Sequence, residues 1–407
     1  MAFDLLLKGG HLIDPRNDLD EPMDVAIAEG VVVKVAPDIP AADSDKTIDV
    51  SGLYVTPGLV DIHTHMYATT GNEDAWAGDR SILPDGFSFR TGVTTMVDTG
   101  SAGCLNLLDF RQRVIDRCDT KTYAFVNIVG LGMATQTTEQ NVSDMDPQLT
   151  AEIAAEHADI VVGIKTAHFL GPEWISVDRT LEAGGLSQLP IMVDFGWFQP
   201  QRPFYELVGQ RLRPGDIATH MYRGPVPCLD SEGKVYEYLL KARERGILFD
   251  VGHGGGSFVF RNALPCVQQG WYPDSISTDL HAMSMNIGML DMATTMSKFL
   301  VMGMSLFDVI RLSTSDAAKV VNLLPQHGHL TVGAAADVAV LNLAHGSFGY
   351  LDAADGLLMG DRRLTCELTI LDGTVVWDWN GRTGVPYAEL GDLIGVRDGE
   401  DLVRPPA

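Results

Sequence analysis

The stretch Pro57-Gly-Leu-Val-Asp-Ile-His63-Thr-His65 closes an apolar run, Val55 to Ile62, with two histidines one residue apart. In a β-strand alternate side chains share a face, so His63 and His65 point the same way. The carboxyl end of a buried strand is where α/β proteins gather ligands and chemistry. Two imidazoles held side by side form half of a site for zinc or a similar divalent cation. A His-x-His triplet alone also fits an exposed loop, so its weight depends on how the other strands end.

Working outward, apolar runs of the same kind recur at Thr94–Val97, Ala124–Ile128, Ile160–Ile164, Ile191–Phe195, Ile217–Thr219, Leu248–Val251 and Ser275–Thr278. Segments of helical periodicity lie between them, such as Leu105–Arg117, Lys234–Arg245 and Phe258–Gln269. With Leu59–Ile62 the runs number eight, at a spacing of roughly 25–35 residues, which predicts a (β/α)₈ TIM barrel over residues 58–330. Helices are expected after the eighth run, at Ile287–Met302 and Leu306–Leu324. Residues 1–57 read instead as short strands, Asp4–Lys8, Met23–Ala28, Val31–Val35 and Thr47–Asp49, separated by turns such as Gly9-Gly10 and Glu29-Gly30. Ala336–Asn342 and Thr369–Trp377 have the same texture, the second with a hairpin turn at Asp372-Gly373. The expectation is a small β-sandwich domain built from both chain ends, 1–57 with 331–390, and a loosely ordered tail at 391–407.

A chain of 407 residues, 45% hydrophobic and 20% charged, can bury a large barrel core and a smaller second one. The net charge of −25 argues against nucleic acid or an anionic membrane as partner. Cys104, Cys118, Cys228, Cys266 and Cys366 are scattered, odd in number and form no Cys-x-x-Cys, which speaks against a disulfide framework. Met1-Ala-Phe-Asp4 opens on an acid rather than a basic segment, so no signal peptide is expected. No apolar run reaches the roughly 20 residues that span a bilayer. A cytoplasmic protein acting on a small molecule is the expectation. The oligomeric state is left open, and a homo-oligomer is compatible with the sequence.

In a barrel, the polar residues that close the strands share one mouth. His63 and His65 close the first, Lys165 the fourth, Asp194 the fifth, His220 the sixth, His253 the seventh and Asp279 the eighth. A lysine closing an apolar strand is costly to bury as a cation. Snorkelling to solvent is its ordinary alternative, and the surrounding histidines argue against that here.

On these residues the chain resembles the amidohydrolase superfamily over nearly its whole length. The resemblance is carried by Pro57 to His65, Gly163-Ile-Lys165, Thr219-His220, Ser277-Thr-Asp279-Leu-His281 and Gly333-Ala-Ala-Ala-Asp337-Val-Ala. Asp98-Thr-Gly-Ser-Ala-Gly103, Gly252-His-Gly-Gly-Gly-Ser-Phe258 and Thr314-Ser-Asp-Ala-Ala-Lys319 resemble the dihydroorotase-related amidohydrolase/deacetylase subgroup. The resemblance implies two divalent metal ions, zinc with manganese as the alternative, bridged by a lysine carboxylated by CO₂. Carried over by position, His63, His65 and Asp279 hold one metal, carboxylated Lys165 bridges, and His220 sits on the second. It implies hydrolysis of a C–N bond, in an amide or cyclic amide, or of an ester in a small molecule. Metal-bound hydroxide is then the nucleophile, and Asp279 the general base and acid. A non-hydrolytic lyase or decarboxylase on the same site, or a non-catalytic structural homologue, are the alternatives. The retained ligand set speaks against the last.

One position departs from the pattern. Where the resemblance expects histidine at the end of strand five, Pro190-Ile-Met-Val-Asp194 supplies aspartate, a hard oxygen ligand of shorter reach and added negative charge. Asp194 ligating directly is the expectation; the other outcomes are that His168 fills the gap, or that the second metal is weak or absent. Candidate substrate contacts are the backbone of Gly100-Ser101-Ala-Gly103, His168, and Arg202 and Arg223 toward a carboxylate. His253 and His281 are expected to hydrogen-bond substrate or to orient a ligand.

Overall fold

The structure is a computed structural model that describes residues 2–68, 81–196 and 198–389. The expected tail at 391–407 lies outside the described residues. Leu59–Thr64, Val93–Gly103, Lys121–Asn127, Val161–Thr166, Ile191–Val193, Ile217–Ala218 and Leu248–Phe249 form one parallel sheet in chain order. These are the first seven barrel strands. Every residue of the first, second and fourth is buried. Strands covered on both faces carry continuous apolar runs rather than alternating ones, which is why these segments read so plainly.

The eighth run, Ser275–Thr278, closes the barrel without a regular ladder. It meets its neighbours through isolated bridges, Asp250 with Ser275 and Thr64 with Leu280. Buried carboxylates satisfy its polar atoms instead. Thr278 donates its amide and hydroxyl to Asp61 at 3.1 and 2.5 Å, and the Ser275 and Ser277 hydroxyls each donate to Asp250 at 2.6 Å.

The second strand extends a sequence expectation. The Thr94–Val97 run continues through the candidate substrate backbone Gly100–Gly103 as one strand to Gly103, with a register shift against Phe125 and Asn127. Gly100 is left-handed at φ 87°, and a Cβ there would lie 2.7 Å from Lys165 Cγ. Glycine is needed so that the lysine stem can pass.

The chain ends form two further sheets. Phe3–Lys8, Asp24–Ala28, Val31–Ala36 and Ser44–Asp49 make a four-stranded sheet. The six-stranded sheet combines His11–Asp14, Leu19–Pro22 and Tyr54–Pro57 with Val338–Leu351, Leu357–Leu371 and Thr374–Asp378. Leu5, Leu7, Val25 and Ile27 of the first share a core with Leu12, Val55, Val338, Val340, Leu368 and Ile370 of the second. Tyr54–Pro57 leads directly into the first barrel strand and pairs antiparallel with residues 338–341, so both ends of the chain brace the approach to His63. Asp372 and Gly373 are both left-handed, as a tight two-residue hairpin requires.

The expected strand at Ala336–Asn342 continues to Leu351. Its partner Leu357–Leu371 packs on helix Met292–Met302, where the Leu364 amide donates to Ser297 Oγ at 2.9 Å. Exposed His345, Gly346 and Ser347 interrupt the apolar pattern, which hid this extension. The expected helix Leu306–Leu324 divides into Leu306–Leu312 and Ser315–Val320. The expected helix from Ile287 starts only at Met292, after Asp291 caps it by accepting the Thr294 amide at 2.7 Å. Among the described residues no helix is long and apolar enough to cross a membrane.

Candidate metal centre

His63 and His65 leave the first strand side by side, and the hydrogen bonds behind them define their proton positions. Thr219 Oγ1 gives its proton to Asp250 Oδ2 at 2.7 Å, so it accepts from His63 Nδ1, 2.9 Å away. Asp250 Oδ2 itself lies 3.3 Å from the same nitrogen. His65 Nδ1 lies 3.0 Å from Ser101 Oγ, whose hydroxyl also bonds Asp98. Both rings are thereby assigned as Nδ1–H tautomers with a lone pair on Nε2. These Nε2 atoms face Asp279 Oδ1, at 3.7 Å from His63 and 3.1 Å from His65.

Two lone-pair atoms repel at such distances unless a proton or cation lies between them. Two ligands at about 2.0–2.2 Å from one tetrahedral cation are separated by about 3.4 Å. The donor set therefore fits a divalent metal. The ligand atoms of His63, His65 and Asp279 lie mutually within 4.8 Å, the one such trio among the described residues. Burial, reinforced by Lys165, pushes the His63 imidazole down to about 3, which keeps it neutral.

Lys165, at the end of the fourth strand, is completely buried. Its Nζ lies 3.4 Å from His63 Nε2 and 3.5 Å from Met192 Sδ. Burial pulls its amine below the usual lysine range, against the attraction of Asp194, Asp279, Asp250 and Asp98. His220 Nδ1 lies 2.6 Å from the Gly252 carbonyl and so carries the proton, leaving Nε2 to face Asp194 Oδ2 at 3.3 Å. The acceptor-to-acceptor spacing seen at Asp279 is thus repeated at Asp194.

Asp194 Oδ1 accepts the Gly196 amide at 2.8 Å, with Arg223 Nη1 at 3.7 Å, while Oδ2 also faces His168 Nε2 at 3.0 Å. His168 Nδ1 lies 2.9 Å from Glu139 Oε1. His168, His220 and Asp279 are all non-glycine residues with φ between 50° and 61°. Left-handed backbone of this kind costs about 1–3 kcal/mol per residue and concentrates at functional sites.

The other candidates are placed differently. The backbone expected to face substrate at Ser101 and Gly103 is already engaged: the Ser101 amide donates to Asp98 Oδ1 and the Gly103 amide to Asn106 Oδ1, each at 2.8 Å. Arg202 is buried, donates to the Phe169 carbonyl at 2.8 Å and lies over the Phe169 and Phe195 rings, so it is not displayed at the mouth. Arg223 donates to the Gly196 carbonyl at 2.6 Å, which aims it at the end of strand five. His253 stacks on Phe258, and its two ring nitrogens lie 2.7 Å from Lys298 Nζ on helix Met292–Met302 and 2.8 Å from the Gly254 carbonyl. His281 remains near the cluster, its ring centroid 6.1 Å from that of His65. Sequence reasoning missed Asp98, Thr219, Asp250 and Glu139. The first three close or precede the ends of apolar runs, a signal as good as the one used for Lys165; Glu139, in a long connection, had none.

Residues 259–376 match the model of the amidohydrolase family. A deacetylase of Agrobacterium fabrum (strain C58) is 33% identical over 325 residues, covering 77% of this chain and 77% of that protein. Among solved structures, an adenine deaminase aligns with a TM-score of 0.83 at 26% identity, over 93% of this chain and 100% of that one. A dihydroorotase aligns with a TM-score of 0.79 at 29% identity, over 92% and 99%.

Proposed function

Because the chain belongs to the amidohydrolase family and is a hydrolase of amide bonds, we propose that it is a binuclear, metal-dependent deacylase. Its substrate is a small molecule carrying an N-acyl or O-acyl group. One observation carries this reading: lone-pair nitrogens and carboxylate oxygens face each other at 3.1 Å at Asp279 and at 3.3 Å at Asp194. The relative named a deacetylase supports the acyl substrate.

His63, His65 and Asp279 would hold one cation, His220 and Asp194 the other, and Lys165, carboxylated by CO₂, would join them. When bound there, zinc or manganese supplies Lewis acidity toward a scissile carbonyl and lowers the pKa of water. Lys165 prepares its own part, because only a neutral amine has the lone pair that adds to CO₂, and its burial favours that form. Asp279, ionised at the start, takes a proton from attacking water on a carboxylate oxygen and returns it to the departing nitrogen or oxygen. Thr219 with Asp250, and Ser101 with Asp98, keep the two Nε2 lone pairs aimed inward. In this reading the barrel, 58–330, carries the chemistry, and the sheets of 1–57 and 331–390 brace its first strand.

The test is a panel of N-acyl, cyclic-amide and O-acyl compounds offered to protein loaded with zinc or manganese in bicarbonate. Turnover of an N-acyl or O-acyl compound is expected. A loaded protein that leaves both acyl classes intact contradicts the proposal, and turnover confined to cyclic amides moves the substrate class.

A further inference from the structure

On the binuclear reading above, we infer that His168 and Glu139 are positioning residues for Asp194, an outer imidazole–carboxylate pair that lets an aspartate take the place of the expected strand-five histidine. His168 Nε2 meets Asp194 Oδ2 at 3.0 Å while Nδ1 meets Glu139 Oε1 at 2.9 Å and Oε2 at 3.2 Å. The ring spans the two carboxylates and holds Asp194 from behind.

His168 does not itself complete a ligand cluster. Its Nε2 and that of His220 both approach Asp194 Oδ2, yet the three do not converge as His63, His65 and Asp279 do. They lie on different sides of the oxygen, leaving the His220 side for a cation. The surroundings of His168 are built to keep it there. Its backbone is left-handed, its carbonyl accepts from Gln140 Nε2 at 2.9 Å, and the Leu170 amide donates to Gln140 Oε1 at 2.7 Å. Glu139 is 5% exposed and sits beside Gln140 on the turn Thr138–Gln140. The connection after strand three thus grips the connection after strand four. Gly196, at φ 57°, completes the fit, since a Cβ there would lie 2.7 Å from His168 Cα.

The experiment is a cobalt(II) titration in bicarbonate, read by absorbance and by elemental analysis after gel filtration. The wild type should take two equivalents. H168A should keep the first and weaken the second by about 10–100-fold, the usual effect of removing a group that orients a ligand. H168Q keeps a donor and should restore part of the loss, and E139Q should shift the second affinity in the same direction by less. In the D194H background an imidazole ligand no longer needs the pair, so adding H168A should change second-site affinity little. Should H168A fail to fold, H168Q and E139Q carry the comparison in both backgrounds. A second equivalent that these variants leave unchanged, or equal losses with and without D194H, overturns the inference alone. A wild type that binds only one equivalent overturns the binuclear reading and the inference with it.

Discussion

At the first strand, imidazoles face inward and oxygen acceptors stand behind them: Thr219 and Asp250 behind His63, Ser101 and Asp98 behind His65. At the fifth strand the layers are exchanged. The Asp194 carboxylate faces His220, an imidazole stands behind it, and Glu139 stands behind that. Both corners leave inward-facing lone pairs and engage the outer atoms in hydrogen bonds. The difference teaches that the alternation of layers matters more than the ligand type at any one position. On the binuclear reading proposed above, a histidine ligand needs an acceptor behind it and an aspartate ligand a donor, and each corner supplies the group that reading requires.

The largest expected effect breaks the first corner. His63→Ala or His65→Ala should remove bound metal and activity together, seen by elemental analysis beside an acyl-hydrolysis assay. Two equivalents of metal retained with either change would remove His63 and His65 from the ligand set. Next, Asp279→Asn keeps the shape of the side chain but not its basicity, and should lower kcat by about 10²–10⁴-fold. A loss confined to KM would show that Asp279 only binds substrate. Asp250→Asn disturbs the outer layer of the first corner and should weaken first-site metal about 10–100-fold. That effect matching the one from H168A at the second site would make the two outer layers equivalent; no effect would leave the fifth-strand corner unusual. The smallest change is expected from Arg223→Met. Its contact with Asp194 is long, at 3.7 Å, and the side chain is 24% exposed. The ion pair is worth about 0.2–1 kcal/mol, read as a few-fold fall in second-metal affinity.

Seven of the eight barrel strands were legible because burial on both faces makes a run continuously apolar, and the residues closing those runs pointed to one mouth. The eighth run was legible as a run but not as an irregular closure, because the carboxylates that satisfy Ser275, Ser277 and Thr278 lie on other strands. His63, His65, Lys165, Asp194, His220 and Asp279 come together in the structure. Arg202 does not join them: its guanidinium donates to the Phe169 carbonyl and lies over an aromatic face. Its sequence context did not distinguish the two. Glu139 was hidden for a topological reason: it reaches His168 across 29 residues of chain, from a connection with no periodic pattern.

The most direct test of the account is turnover as a function of metal content. Protein stripped with a chelator, verified by elemental analysis and assayed on an acyl substrate should be inactive. Activity should return in proportion to zinc or manganese added back with bicarbonate. Full activity in a verified metal-free sample would contradict the account.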